Sequence, residues 1–581
     1  MLRRSLIAAV LAVLLLPAAA AAQSETVELM PGVTYTKEVR WERGGPLVVH
    51  SIVGPRPGGL YALRPILSND LVLGRETVSA MQQRLAPQAT AAGVNGDLFT
   101  WETGRPSGIL LQDGVLTSRP VGGRSSLGIG ADGTLFVGRI DFFGAWRVGD
   151  GEKSPLAQFN RPLLGEEANE AGLFTPAWGG PTPEVADAVD IVLAAFPPAA
   201  PNVDLTGQVV ELRIGGGTPI PEGGAVVQAR GLWADKLAVQ ASPGLPLTIN
   251  LILKPWWDGV THGIGGGPVI VRDGQPVFRA NEDFTPSQTK PRHPRTAVGQ
   301  LADGRIVLVA VDGRSSFSRG VDLWELALEL VRLGAVTAMA FDAGGSTTIA
   351  FDGRVLNTPS DGSERPVGDA LMLLYYGAFA PPLRYRIVSP NGDGYAEAQE
   401  GLVYKVVRPS TVDAKLVAPD GSVVWSEAGP KEPGVHAPLL DPATALVQQG
   451  KYQWIVSAVD DLGQTSGMTR TFAVNNTLGF LELSKRLVRP KPKKGGKLEI
   501  SFELAEPAWV VVTVEDATGK VVRKLHAHRH VAKRLSFTWD AKNGKEKVVA
   551  TGKYAIRVRA ANELGVALLE RKVGVRVKAP G

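Results

Sequence analysis

The chain of 581 residues contains no cysteine. That excludes disulfides and a lipid-attachment thiol, so every domain must rest on its apolar core. Histidine is scarce, with 7 in all. Only His50, His262 and His293 fall in the first 380 residues, and none accompanies a G-x-S-x-G elbow, so no serine-hydrolase triad is written. Beyond the first 22 residues no stretch approaches the ~20 unbroken apolar positions of a spanning helix. Helical periodicity is also rare; residues 77–85 and 323–333 are the best cases. No glycine-rich segment leads into a lysine and a helix, which excludes a nucleotide P-loop.

What is present begins with MLRRSLIAAVLAVLLLPAAAAAQ: two arginines, a short apolar run, then small residues before Gln23. This reads as a secretory signal over residues 1–22, which places the protein in a bacterial periplasm or outside the cell. The length suggests three or four domains. Net charge is +5, unevenly spread. Residues 480–581 hold 23 Lys+Arg against 10 Asp+Glu, or +13, and the remainder 39 against 47, or −8. A basic end on an acidic body suits an anionic partner. Export makes an envelope polymer the expected one rather than nucleic acid, with a lysine-rich solvated surface as the plainer reading.

Residues 24–380 are glycine-rich, with many short apolar runs, as in a mainly β, mixed α/β domain. Its most informative stretch is 294–371. Two apolar runs, 305–311 and 335–341, each end in an aspartate soon followed by glycine. Between them Leu323, Leu326, Ala327, Leu330 and Val331 form one helical stripe. Strand, helix and strand in so short a span predict a parallel βαβ unit. Asp312 and Asp342 should then emerge at one sheet edge, where open α/β sheets place ligand sites.

Pro381-Pro382 closes this region. Residues 384–476 and 480–578 then alternate apolar and polar positions over short strands, as in two β-sandwiches. Both carry a GKY element, a strand and a [DN]-x-L-G turn (Gly450-Lys451-Tyr452 and Gly552-Lys553-Tyr554), the mark of a degenerate tandem repeat. The linker RPKPKKGG is too rich in proline and glycine to form an element. Asn391, Asp393 and Glu397 have calcium-loop spacing without a full EF-hand pattern. His526, His528 and His530 share one strand face, where a solvated edge outweighs a transition-metal site.

The blocks GVNGDLF (93–99), PSGILLQDG (106–114), TPAWGGPT (175–182), GIGGGPVIVRDG (263–274), PRTAVG (294–299), VDGR (311–314), FDAGGSTT (341–348) and NTPSDGSERPVGDAL (357–371) occur in order. Together they resemble the phosphodiester glycosidase family, typified by the uncovering enzyme that removes N-acetylglucosamine from a phosphodiester-linked mannose. The resemblance spans roughly 25–378. Two positions depart from it: Ala343 stands where the family has a glycine, and Asp369 where an asparagine is common. The SPNGDG opening at 389–394 resembles Ig-like modules of secreted bacterial proteins. The third region resembles the Ig-like domain of flagellar hook-capping proteins.

The resemblance implies a hydrolase that cleaves the glycosidic bond of a phosphodiester-linked sugar in a glycan or envelope polymer. Such chemistry needs carboxylates at the sugar and cations at the phosphate. The candidate acids are Asp312, Asp342, Glu325 and Asp361. Arg295, Arg314 and Arg365 are candidate phosphate clamps. Asn95, Asp97, Gly344, Gly345, Ser346, Thr347, Ser360 and Trp178 are candidate substrate contacts. Structural readings stand beside these: Asp-Gly is a common turn, Glu325 sits where a helix dipole favours any carboxylate, Thr347 could simply begin a strand, and Trp178 could belong to a core. A divalent cation such as calcium would suit clustered aspartates near a phosphate. The alternatives are a non-catalytic glycan-binding or scaffold protein and a hydrolase of uncharged glycans.

Overall fold

The computed structural model describes residues 23–164, 169–277, 281–399, 401–439, 445–490 and 496–577. The signal sequence expected at 1–22 and residues 491–495 of the linker lie outside the described residues. The chain divides into two units, the larger ending at Tyr375 and the smaller formed by Leu29–Pro31 and Tyr376 onward.

In the larger unit the elements that carry the site are β1 (Val33–Glu42), β2 (Gly45–Gly54), β3 (Tyr61–Leu67), α1 (Val78–Leu85), β4 (Thr90–Asn95), β5 (Val269–Arg272), β6 (Arg295–Leu301), β7 (Ile306–Val311), α2 (Leu323–Arg332), β8 (Ala335–Ala340), β9 (Ile349–Phe351) and β10 (Asp369–Tyr375). One sheet contains β1, β2, β7, β6, β8 and β5 side by side in that order. A second contains β9, β4, β10 and β3. All six residues of β7, Ile-Val-Leu-Val-Ala-Val, are buried, as an uninterrupted apolar run requires of a strand covered on both faces. Val307, Val309 and Val311 share a core with Leu326, Ala327 and Leu330 of α2. Asp322 caps α2: its carboxylate accepts from Glu325 N at 2.8 Å, and Glu325 accepts from Asp322 N at 3.1 Å. Thr77 caps α1 in the same way, accepting from Ala80 N at 3.1 Å.

The strands around α2 differ from the expected parallel pair. β7 and β8 run in the same direction but are not neighbours. Each pairs antiparallel with β6, through Val298 opposite Leu308 on one side and Met339 on the other. β6 precedes β7 across a short turn, so the hairpin forms locally and fills the place a parallel partner would take. Two strand spacings therefore separate β7 from β8, about 10 Å. Asp312 and Asp342 still leave the same sheet edge, at that distance.

Between β4 and β5 the chain builds a further eight-stranded sheet within residues 141–254 and a five-stranded sheet from residues 110–139 and 260–265. The larger of these has its own core around Trp146, Phe159, Ile191 and Leu251.

The smaller unit holds two β cores. One gathers Val412, Leu416, Tyr452, Trp454 and Phe472. The other gathers Ile500, Phe502, Val512, Trp539 and Ile556. The repeated sequence elements occupy equivalent places. GKY opens the strands Gly450–Asp460 and Gly552–Asn562, and each is followed by an antiparallel partner. Short strands at Ile387–Val388 and Leu487–Val488 each pair parallel with the last strand of their own core. The described residues are β-rich, with few helices.

Candidate active site

A cleft of about 220 Å³ opens beside the carboxyl end of β8. Asp342, Ala343 and Gly344 form one side; His293, Arg295 and Arg314 form another; Leu98, Phe284, Leu323 and Phe341 supply apolar wall. Among the described residues Asp342 is the sole carboxylate in that wall.

Asp342 is held from both sides. Its main chain spans the gap between the two sheets: its N–H donates to the Gly96 carbonyl at 3.0 Å, and its carbonyl accepts from Asn95 Nδ2 at 2.9 Å. Its Oδ1 accepts from Ala343 N at 2.8 Å. The neighbouring Ser346 hydroxyl also favours the charged form of the carboxylate. Burial raises the Asp342 pKa, and these hydrogen bonds with the charges of Arg365 and Arg295 oppose the rise. Ala343, which stands where the family has glycine, is extended at φ −121° and ψ −178°, so its methyl group meets no backbone strain and simply adds to the wall. Gly344 is different, with φ +69°, and a Cβ there would lie 2.9 Å from Arg314.

Arg295 is 4% exposed and donates to two carbonyls, Val321 at 3.2 Å and Pro291 at 2.9 Å. Desolvation brings its pKa down to about 10. Arg314 Nε donates to His293 Nδ1 at 3.3 Å. Neither guanidinium has a carboxylate within ion-pair distance among the described residues. Desolvation, then the charges of Arg314 and Arg295, lower the His293 pKa. The ring is therefore neutral, and with Nδ1 accepting it carries its proton on Nε2. His293 directly precedes the PRTAVG block and is missing from the sequence-derived candidates. Its signal was the run Arg292-His293-Pro294-Arg295 at the start of the buried strand Arg295–Leu301.

Behind Asp342 lie two further acids. Asp97 is 2% exposed and accepts from Leu98 N at 2.7 Å and from Gly108 N. Its own N–H donates to Asp369 Oδ1 at 2.7 Å. Gly265 must be glycine here, since a Cβ would sit 2.2 Å from Asp97 Oδ2. Desolvation lifts the Asp97 carboxyl to about 6, with the Asp342 charge adding to the rise. Asp369 is wholly buried, and its Oδ2 has no hydrogen-bond partner. Burial, then the Asp97 charge, raises its pKa well above its ordinary value. The buried site thus favours the protonated form of Asp369, a role that asparagine fills without titrating.

Several sequence-derived candidates have other places. Asp312 is off the cleft: its Oδ1 accepts from Thr358 N at 3.0 Å, and its Oδ2 meets His50 Nε2 at 3.1 Å. His50 Nδ1 in turn lies 2.8 Å from the Tyr35 hydroxyl, giving a buried chain across β7, β2 and β1. The intervening β6 is what carries Asp312 away from Asp342. Glu325 is occupied by its capping box and by ion pairs to Arg292 at 2.9 Å and Arg319 at 3.0 Å. Although desolvation pushes its pKa up, those two arginines leave it lowered. Asp361 pairs with Arg365 at 2.5 Å, and Arg365 Nη1 donates to Ser346 Oγ at 3.3 Å. Arg365 therefore reaches Asp342 through Ser346 and does not clamp a ligand in the cleft. A Cβ on Gly345 would lie 2.0 Å from Arg365 Nη2, so this pair needs glycine beneath it.

Asn95 is fully buried, with its Oδ1 accepting from Thr296 Oγ1 at 2.7 Å and Thr348 N at 3.1 Å. It ties the two sheets together and is closed to a sugar. Thr347 is buried and Ser360 half-buried, neither hydroxyl has a partner, and neither residue is in the cleft wall. Trp178 is 5% exposed, packs edge-on against Phe174 and donates Nε1 to Pro181 O at 2.9 Å, which makes it a core residue.

In the smaller unit Glu397 accepts from the Gly392 and Gly394 amides at 2.9 and 2.7 Å. Asp393 accepts from Tyr395 N and Phe480 N at 2.8 and 2.9 Å, and Asn391 Oδ1 from Asp393 N at 3.1 Å. These acceptors brace their own loop and tie it to the strand that holds Phe480. Among the described residues no group of three or more His, Asp or Glu converges as a metal cluster.

The family model for phosphodiester glycosidase matches residues 202–374, and that for the FlgD Ig-like domain matches residues 489–563. The SPbeta prophage-derived uncharacterized protein YomE of Bacillus subtilis (strain 168) is 35% identical over 117 residues, 20% of this chain and 18% of that protein. The N-acetylglucosamine-1-phosphodiester alpha-N-acetylglucosaminidase of Bos taurus is 43% identical over 67 residues, 12% of each chain. The similarity thus spans less than a fifth of either curated relative. A hypothetical protein from Synechocystis has a similar fold, with a TM-score of 0.53 at 22% identity over 61% of this chain and 64% of that one. Residues 202–374 of this chain therefore carry a phosphodiester glycosidase domain, and residues 489–563 a FlgD Ig-like domain.

Proposed function

We propose that the cleft hydrolyses the bond between a sugar's anomeric carbon and a phosphodiester oxygen. The observation that carries this reading is the pairing of one carboxylate, Asp342, with two guanidiniums free of carboxylates, Arg295 and Arg314. Hydrolysis of an uncharged glycoside calls for a second carboxyl group to protonate the leaving oxygen. A phosphodiester leaves as a stable anion, so cations replace that acid. Arg295 and Arg314 hold the phosphate, and His293 donates to it from Nε2. The C1–O bond breaks with its electron pair on the phosphate oxygen. Water supplies the new hydroxyl at C1, and its proton passes to solvent through Asp342. A carboxylate whose pKa is raised by burial is the better base for that step. Asp361, Arg365 and Ser346 position Asp342.

The protein is exported in this reading, and the basic region at 480–578 holds it near an anionic envelope polymer. The sugar-releasing bovine enzyme supports the choice of probe, N-acetylglucosamine-α-1-phosphomethylmannoside. The full chain is expected to release free sugar from it, and Asp342→Asn to release none while its Tm stays within about 2 °C. An active Asp342→Asn variant would sink the assignment. Addition of EDTA reads the metal requirement. Binding of the probe without turnover would favour a glycan-binding protein instead.

A further inference from the structure

Among the described residues, three arginines near Leu98 have no acidic partner. Arg105 donates to Thr100 Oγ1 at 3.1 Å and Pro106 O at 3.4 Å. Arg119 makes a fork to Gln158 Oε1, at 3.2 and 3.1 Å, and donates to Pro120 O at 3.1 Å. Arg161 donates to the Ser107 and Arg119 carbonyls, and its buried Nε has no partner. All their acceptors are neutral, and none of the three forms an ion pair among the described residues. The acids that face them are Asp97, buried and bonded to backbone amides, and Glu170, which accepts from Leu164 N. All three side chains remain partly exposed. Desolvation followed by mutual repulsion lowers the pKa of Arg119, and brings that of Arg161 down to about 9. Like charges gathered in this way, with no counter-charge among the described residues, cost stability unless an anion joins them.

The cluster adjoins the cleft. Ser107, whose carbonyl Arg161 holds, donates its N–H to Leu98 O at 2.7 Å, and Leu98 is in the cleft wall. We propose that Arg105, Arg119 and Arg161 form a second anion-binding subsite, which takes an additional oxyanion group, carboxylate or phosphate, of the substrate. This rests on the glycosidase reading for its meaning, since the substrate would then be at least a dianion: the scissile phosphodiester at Arg295 and Arg314, and a second charge here.

Isothermal titration of the full chain with inorganic phosphate tests it. Two sites are expected. Arg119→Gln and, independently, Arg105→Gln should each abolish one or weaken it about tenfold, and Arg314→Gln should weaken only the other. Arg119→Lys should retain part of the binding. A single site, or two sites, untouched by Arg119→Gln and Arg105→Gln overturns the proposal, whereas a single site lost in those variants keeps the subsite and removes the phosphate role of Arg295 and Arg314. Titration with glucuronate separates the two chemistries: displacement of the second phosphate extends the site to carboxylates, and phosphate held against it confines the site to phosphates. Because no turnover is involved, a chain that binds two phosphates yet cleaves no sugar phosphodiester loses the glycosidase reading and keeps the subsite. Where turnover is present, Arg119→Gln should raise KM for a sugar phosphodiester bearing a second anionic group by about tenfold, and leave KM for the singly charged one unchanged.

Discussion

The buried acid pair Asp97 and Asp369 makes the larger unit sensitive to alkaline rather than acidic pH, and Asp369→Asn is the perturbation that exposes it. Both carboxyls have folded-state pKa values above their unfolded ones. Each therefore stabilises the fold fully below the unfolded value and loses that contribution as pH rises through the folded value. For Asp97 the rise from 3.8 to about 6 is roughly two units. At about 1.4 kcal/mol per unit, that is ~3 kcal/mol lost between pH 4 and pH 8. Asp369 adds to the loss in the same direction. Asparagine keeps the one bond Asp369 makes, since its Oδ1 still accepts from Asp97 N, and it puts an uncharged amide where Oδ2 had no partner. The variant should match the wild type near pH 4 and be the more stable at pH 8, while the ~3 kcal/mol share of Asp97 persists in both. Urea unfolding across pH 4–8 reads this directly, and taking the difference between the two proteins cancels every other titrating group. A variant no more stable than the wild type at pH 8 would refute the raised pKa of Asp369.

Asp312→Asn should destabilise the fold by about 3 kcal/mol, by breaking the buried chain to His50 and Tyr35, with kcat per folded molecule little changed; a catalytic loss without loss of stability would return Asp312 to the reaction. Gly345→Ala should force Arg365 off Asp361 and lower kcat at least tenfold with KM for the sugar phosphodiester nearly constant, because Arg365 reaches Asp342 through Ser346. Trp178→Phe should lower Tm and leave sugar binding intact, as expected of a core residue, and weaker binding at equal stability would contradict that placement. Deletion of residues 480–581 should release the protein from envelope fractions at low salt, and retention equal to the full chain would refute tethering by the basic region.

Much of this was legible in the residues themselves. The apolar stripe of α2, its Asp322 and Glu325 cap, the uninterrupted run of β7 and the GKY repeats of the smaller unit are local patterns, and local patterns suffice where period and capping decide the element. The place of Asp342 at the end of a buried strand and at a sheet edge could be read too, since an apolar run followed by Asp and glycines marks where a strand ends. What could not be read was strand order. Nothing in a linear pattern says that β6 intervenes between β7 and β8, and that one insertion moved Asp312 about 10 Å from Asp342 and into a buried chain with His50. Nor could residue type separate a clamp from a strut. Arg295 and Arg365 look alike in sequence, yet backbone carbonyls leave the first charged toward the cleft while Asp361 neutralises the second. Asp97 and Asp369 lie some 270 positions apart and meet only because β4 and β10 are neighbours in the second sheet. The sequence by itself determined which segments are strands and where the acidic and basic side chains stand on them. The tertiary structure decided which charges are compensated, because compensation depends on separations of a few ångströms between groups that the chain places far apart.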